Sequence, residues 1–329
     1  MQHEGNTERK SSMGIRIETD QDGVPFIQLG SYCLRLDLEE LSDRDKEKAL
    51  TELNETPENV QYALAKLREL ISNEPNLRVP VDVDEFLVKF LRPCKFAPET
   101  AFKIMRRYYR FKTKHPKYGV RITPNSVRHV FDTEVFKILP TRSPDGSRIF
   151  IMNIGAKWDP KKVTLEDMFK AVMVTMEIAM LEPKTQMGGA HVVLNMEGLS
   201  MVHFYQFSPF TAKLIADWVQ ECVAVRLRGI HIVNQPYIFN MLYAIFKPFL
   251  GEKLRKLIFF HGTNRKSLLE RISADCLPEK FGGNANIPNY PGSLFSDMLF
   301  YYEHDFEVYN TYGYAIAEKP SIDSNSTSS

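Results

Sequence analysis

The chain has 329 residues, 43% of them hydrophobic and 25% charged, with a formal net charge of +1. That composition fits a globular protein of one large or two ordinary domains, and the near-neutral balance excludes a general nucleic-acid binder, which carries a basic surplus. Four widely spaced cysteines (Cys33, Cys94, Cys222, Cys276) show no CxxC and no Cys/His ligand spacing, so neither a disulfide framework nor a metal site is expected.

The N-terminus is polar and lacks an apolar signal core. The longest apolar-rich run, 171–181, is broken by Glu177 and falls far short of the roughly 18 residues that span a bilayer. These features predict a cytoplasmic chain that meets membranes only peripherally. Residues 1–13 read as disordered, at the head of an N-terminal extension over 1–40. Within it, short alternating runs (Ile15, Ile17; Phe26, Ile27, Leu29; Leu34, Leu36) around a turn at Asp20 to Gly23 predict a small hairpin.

Residues 41–118 read as a small all-α unit of four helices. Ser42 is a candidate N-cap with Asp43 and Asp45 in the first turn. Thr56-Pro57-Glu58 starts a second helix bearing Ala63, Leu64, Leu67, Leu70 and Ile71 at helical spacing. A third carries Phe86, Leu87, Phe90 and Leu91 and stops near Pro93. A fourth starts near Pro98 and runs through Phe102, Met105, Tyr108, Tyr109 and Phe111. From about residue 149 the pattern becomes α/β, with apolar strands at 149–154, 191–196, 229–233 and 257–261. Between them helices are expected near 164–181, 208–224 and 237–247. Strand–helix–strand repetition means parallel pairing with right-handed crossovers. The domain should close near 288–291. The aromatic stretch 300–314 should pack back on the body, and 319–329 should form a disordered tail.

The stretch 226–266 concentrates the charge of the chain: eight Lys or Arg against one acid, Glu252, a local excess of about +7. Its helix 237–247 is apolar almost all round before Lys247, so it should not lie with one face in water. An oily helix beside clustered cations suits an anionic membrane, where each cation is worth about 1 kcal/mol. Plain core packing and a solvated charged face remain open for the same residues.

No GxGxxG, GxxxxGK[ST], GxSxG or HExxH appears, and the chain is not expected to be an enzyme. Asp159, Glu166 and Asp167 read as turn formers and helix caps, and His231 and His261 as hydrogen-bonded histidines of the core or its rim. Apolar surplus is the stronger signal. Helix 164–181 brings Met168, Phe169, Val172, Met173, Met176, Ile178, Ala179 and Met180. Helix 208–224 brings Phe210, Leu214, Ile215, Trp218, Val219 and Val223. Either a thick core or a cavity for an apolar ligand explains them. Hiding a tail of about fifteen methylenes is worth on the order of 12 kcal/mol.

Several segments carry a family resemblance. RGIHIVNQPYIFNMLYAIFKPFLGEKLRK resembles the gate region of the CRAL-TRIO lipid-binding family, closest to its tocopherol-transfer, clavesin and retinaldehyde-binding branch. Phe90-Leu91-Arg92-Pro93-Cys94-Lys95-Phe96, Trp158-Asp159-Pro160-Lys161, Met196-Glu197-Gly198 and Leu277-Pro278-Glu279-Lys280-Phe281-Gly282-Gly283 resemble further family segments, over about 45–290.

The resemblance implies a helical N-terminal domain at 41–118 and a lipid-binding α/β domain at 125–291 with a mostly parallel sheet, followed by a C-terminal segment at 292–329. It implies a pocket at Phe169, Val172, Met176, Ala190, Phe207, Trp218, Val219 and Val225. A mobile gate helix would carry Tyr237, Ile238, Phe239, Leu242, Ile245, Phe246 and Phe249, with Phe239, Phe246 or Phe249 entering the membrane interface. Arg226, Arg228 and Lys253 match basic positions for phosphoinositide head groups, with Arg255 and Lys256 beside them. Leu257 and Cys94 stand where relatives have further basic residues. Val172 and Met176 stand where tocopherol carriers have small hydroxyl residues, which makes this pocket drier. The expected partners are an apolar lipid (tocopherol-like, retinoid, carotenoid or other) and anionic phosphoinositide membranes, endosomal or plasma. No cofactor, metal or nucleic acid is expected, and the chain should act as a monomer. The rival reading is a phosphoinositide-binding adaptor of trafficking or signalling without cargo.

Overall fold

In the computed structural model, which describes residues 15–119 and 121–315, the helix caps fall where the sequence puts them. The expectations for 1–13 and 319–329 lie outside the described residues. Strands β1 (Ile15–Thr19), β2 (Pro25–Leu29) and β3 (Tyr32–Leu34) form an antiparallel sheet rather than a lone hairpin. Asp20 closes the first turn by accepting from the amides of Asp22 and Val24 at 3.0 and 2.9 Å. The third strand is too short to register as alternation, yet it brings Leu34 into the core.

Ser42 accepts from the Asp45 amide at the start of α1 (Asp43–Leu53), and Thr56 accepts from Asn59 at the start of α2 (Pro57–Ser72). Helices α3 (Asp84–Leu91) and α4 (Pro98–Lys114) pack on α2 through Leu67, Leu87, Leu91, Ala101 and Met105, all buried. The bend between α3 and α4 depends on Arg92. Its guanidinium grips both oxygens of Glu55, the shortest contact being 2.6 Å, and reaches Gln186 at 2.5 Å. Two side chains follow with positive φ, Lys95 at 56° and Phe96 at 53°, a strained turn that the Arg92 anchor holds in place.

The main sheet has the order β4 (Phe136–Arg142), β5 (Arg148–Asn153), β6 (Ala190–Asn195), β7 (Leu227–Val233) and β8 (Ile258–Gly262). The last four are parallel, as the repetition predicts. The sheet does not begin at 149, however. β4 precedes it and pairs antiparallel with β5. Pro140 hides this strand in the sequence. A proline is tolerated only at an edge or irregularity, and β4 is the edge, with its register broken between Ile138 and Arg142. Crossovers run through α5 (Leu165–Leu181), α6 (Pro209–Glu221), and the pair α7 (Phe239–Phe246) and α8 (Glu252–Arg255). After the sheet, α9 (Gly292–Phe300) and α10 (Glu303–Tyr309) fold back. Phe295 meets Phe131 edge-on at 5.2 Å, and Tyr312 meets Phe86 at 5.6 Å.

A buried ionic cluster ties the N-terminal segment to the sheet. Arg148 on β5 grips Glu182 in bidentate fashion, Arg142 on β4 pairs with Glu182 at 3.0 Å and with Asp37 at 2.7 Å, and the Asp37 amide donates to Glu182 at 3.0 Å. Burial alone would raise the Glu182 carboxyl, but Arg148 and Arg142 outweigh it and hold the group at about 2. Removing one partner from such a pair strands a buried charge. Arg148→Met is therefore expected to lower unfolding free energy by about 3–5 kcal/mol in chemical denaturation. The double change Arg148→Met/Glu182→Met should recover much of that loss, and equal losses in the single and double variants would contradict the account.

Candidate functional site

Side chains alternate along the parallel strands, and the two faces of the sheet meet different surroundings. On one face Ile149, Ile151, Val193 and Val233 pack against Leu268, Ile272, Cys276, Leu277 and Phe281, with every one of these buried. On the other face Phe150, Ala190, Val192, Leu194, Ile230, Ile232 and Ile258 look toward α5, α6 and α7 across a cavity of about 320 Å³. All eight positions expected for a pocket border this space: Phe169, Val172 and Met176 from α5, Ala190 from β6, Trp218 and Val219 from α6, and Phe207 and Val225 from the segments flanking α6. Leu165, Met168, Ile215, Val223 and Leu254, which the sequence reading did not single out as pocket positions, complete the wall. The apolar surplus of α5 divides by face. Phe169, Val172 and Met176 border the cavity, while Met173 and Val174 turn to Tyr108, Phe306 and Tyr309.

The wall is almost wholly carbon and sulfur, and Thr175 and Trp158 among its few polar side chains are engaged elsewhere. Thr175 donates to the Ala171 carbonyl at 2.8 Å, one turn back in α5. The Trp158 indole donates to the Val163 carbonyl at 2.8 Å, while its ring lies against His203 and Phe207. Thr164 caps α5 by accepting from the Asp167 amide and donates its hydroxyl to the Asp167 carboxylate at 2.7 Å, Asp159 accepts from the Lys161 amide, and Glu166 pairs with Lys117 and Lys170 instead of capping.

Helix α7 borders the cavity with Phe239, Leu242 and Phe246. Contrary to the expectation from its composition, it has a face in water. Asn240, Met241 and Ala244 are exposed, Met241 at 45%, and Tyr237 before the helix is exposed at 86%. Over its roughly two turns Phe239, Leu242 and Phe246 line the cavity, and other apolar residues are left outside. Phe239 is buried and Phe246 half-buried against Phe207 at 5.6 Å, so these two rings turn inward and Tyr237 and Met241 turn outward. Ile238, Ile245 and Phe249 are half-buried between the two sides. Next to α7 lies a rim that the sequence reading missed. Met201, Val202, Tyr205 and Phe210 are exposed, Tyr205 at 73%, and the adjoining Phe204 packs into the cluster of Phe239 and Leu242.

The five expected cations split into two groups. Arg226 and Arg228 stand at the start of β7, where their guanidinium groups donate to the Met187 and Gly188 carbonyls at 2.5 and 2.6 Å. Glu52 lies 3.8 Å from each, and Asp145 lies 3.4 Å from Arg228. Lys253, Arg255 and Lys256 belong to α8 and its cap. Leu254 of that helix shares a cluster with Leu227, which sets α8 beside the start of β7. Lys256 pairs with Glu252 at 2.6 Å and Arg255 donates to the Lys247 carbonyl at 3.1 Å, whereas Lys253 makes no ion pair among the described residues. Lys253 lies near Cys94, whose thiol burial raises to about 11.

His231 and His261 do meet, and His191, unforeseen, joins them on the filled face. His191 Nδ1 lies 2.9 Å from His231 Nε2, His231 Nδ1 lies 3.0 Å from His261 Nε2, and His261 Nδ1 lies 2.8 Å from the Ser267 hydroxyl. The row crosses three adjacent strands, and Gly229 makes room for it, since a Cβ there would come within 2.6 Å of His231 Nε2. Among the described residues no His, Cys, Asp and Glu group has the arrangement of a metal site. Burial lowers all three imidazoles, His231 to about 3, with His191, His261 and Arg271 adding to that depression. Asp145 and Arg228 face His191, and Glu270 and Arg271 face His261.

Comparison with known proteins identifies the family. A CRAL/TRIO domain model matches residues 132–283. Human alpha-tocopherol transfer protein-like is 30% identical over 239 residues, 72% of this chain and 69% of its own. The chain belongs to the CRAL/TRIO family. Human clavesin-2 is 28% identical over 282 residues, 85% of each chain. The crystal structure of Sfh5, at 16% identity and a TM-score of 0.44, is too remote to bear on function.

The histidine row gives this CRAL/TRIO chain a pH-dependent fold. With folded values depressed below the ordinary 6.5, the unfolded chain takes up protons that the fold refuses. For His231 the stability is complete above pH 6.5 and falls as pH drops toward 3, by up to about 1.4 kcal/mol per pH unit, and the lowered His191 and His261 act in the same direction. His231→Leu should flatten this acid limb in denaturation curves taken between pH 7 and 4. An unchanged slope would contradict the assignment.

Proposed function

We propose that this CRAL/TRIO chain is a lipid carrier and not an enzyme. It holds an apolar lipid in the cavity between the sheet and α5–α7 and exchanges it at phosphoinositide-containing membranes. The observation that carries the reading is the cavity itself: an opening of about 320 Å³ between a sheet face and three helices, lined by hydrocarbon. Protein interiors are otherwise packed to the density of organic crystals, and an empty apolar space of this size gives up dispersion contacts that a guest restores. Native mass spectrometry with lipid extraction on the purified protein tests it. A stoichiometric lipid is expected, and a lipid-free protein that takes up none from vesicles would favour the adaptor reading.

The surface around α7 supports the membrane part of the reading. Tyr237, Met241, Met201, Val202, Tyr205 and Phe210 present exposed apolar groups, and Lys253, Arg255 and Lys256 follow α7 directly in the chain. In this reading α7 is the gate, and its outer residues touch the bilayer first while Phe239 and Phe246 stay on the cargo. In this reading the chain works in the cytoplasm, peripherally at membranes, as a monomer.

Two opposite effects are expected in cosedimentation with vesicles containing phosphatidylinositol bisphosphate. Lys253→Glu/Arg255→Glu should lower affinity at least roughly tenfold, since each cation near an anionic surface contributes about 1 kcal/mol. Glu52→Gln/Asp145→Asn should raise it severalfold by freeing Arg226 and Arg228 from competing carboxylates. Unchanged binding in both variants would remove the electrostatic part of the proposal.

A further inference from the structure

The cavity has a chemical property beyond its size, and the inference from it rests on the carrier reading. A ligand oxygen inside would need a partner on the wall. The sheet strands present Ala190, Val192, Leu194, Ile230 and Ile232 to the cavity, and their amides are engaged in the ladder. Thr175 and Trp158 are satisfied within the wall. Lys137 borders the cavity only through its strand, because its ammonium donates to Asn289 at 2.8 Å and to the Tyr290 carbonyl. The Trp218 indole N–H has no partner among the described residues; its nitrogen is fully buried within the wall, and the ring lies edge-on to Phe169 at 5.4 Å. Tyr243 is half-buried and its ring meets the exposed Phe260 edge-on at 5.0 Å, at the solvent side of the wall.

We propose that the cavity selects a hydrocarbon lipid, with no hydroxyl or carboxyl group inside, and discriminates against the alcohol of the same carbon skeleton. An alcohol oxygen taken from water or from the membrane interface finds no replacement bond. The wall cannot hold a water to bridge it either, because a buried water needs two to four polar partners. The penalty of one unmade hydrogen bond corresponds to a preference of roughly ten- to a hundredfold for the hydrocarbon. Met173 and Val174 play no part in this, since they face the other side of α5. Met168 and Met176 on the cavity side are adaptable in shape, so the selection rests on polarity and tolerates differences in outline.

The test uses phytene and phytol, one branched skeleton without and with a hydroxyl, offered together in phosphatidylcholine vesicles to the full chain. Bound lipid is extracted, quantified by gas chromatography and normalised to the vesicle content. Phytene should exceed phytol at least roughly tenfold. Equal uptake, or an excess of phytol, overturns the selectivity while leaving the carrier intact. Uptake of neither lipid overturns the carrier reading and the selectivity with it. Met176→Gln, which places an amide on the wall, should raise the phytol share severalfold. An unchanged ratio in that variant, with phytene still bound, contradicts wall polarity as the cause.

Discussion

The alternation of side chains across one parallel sheet governs the rest of this structure. A parallel sheet must be covered on both faces, and each residue step along β5, β6, β7 and β8 assigns a side chain to one cover or the other. On one face the cover is a close-fitting set of Leu268, Ile272, Leu277 and Phe281. On the other the helices stand away from the sheet and leave the cavity. The histidine row, the arginines at the start of β7 and the cavity floor are all consequences of the same register. His231 sits between Ile230 and Ile232, and so lies behind the floor of the cavity.

Charge in this chain is organised against the same frame. The strongest ionic cluster, Arg142 and Arg148 with Asp37 and Glu182, fastens the N-terminal segment to the antiparallel edge of the sheet. Arg148 and Glu182 are buried and Arg142 and Asp37 half-buried, so the cluster fixes geometry. The cations near α7 are different. Those of α8 and its cap are in water, where pairing contributes little, and Arg226 and Arg228 sit in a balance of carbonyls and carboxylates.

Much of this was legible in the residues. Ser42 and Thr56 announced their helices because capping is local chemistry. The four parallel strands were legible because buried strands read as apolar runs. β4 was not, because Pro140 and the polar residues after it break the run, and only the neighbouring β5 makes it a strand. The pocket positions came from a family resemblance. The residues alone gave an apolar surplus that fits a filled core and a cavity equally, since the two differ in volume and not in composition. The inner and outer sides of α7 were illegible for a related reason. When nearly every position is apolar, periodicity carries no information on which way the helix faces. His191 escaped notice because its partner His231 lies 40 residues away, and the pairing exists only once β6 and β7 are adjacent.

The central claim is that the space between the sheet and α5–α7 is a site for a guest. A crystal structure of the protein as purified from a lipid-containing host tests it most directly. Continuous elongated density in contact with Phe169, Met176 and Trp218 is the predicted result. Helices collapsed onto the sheet, with Val172, Met176 and Phe246 filling the space and no density left over, would contradict the account.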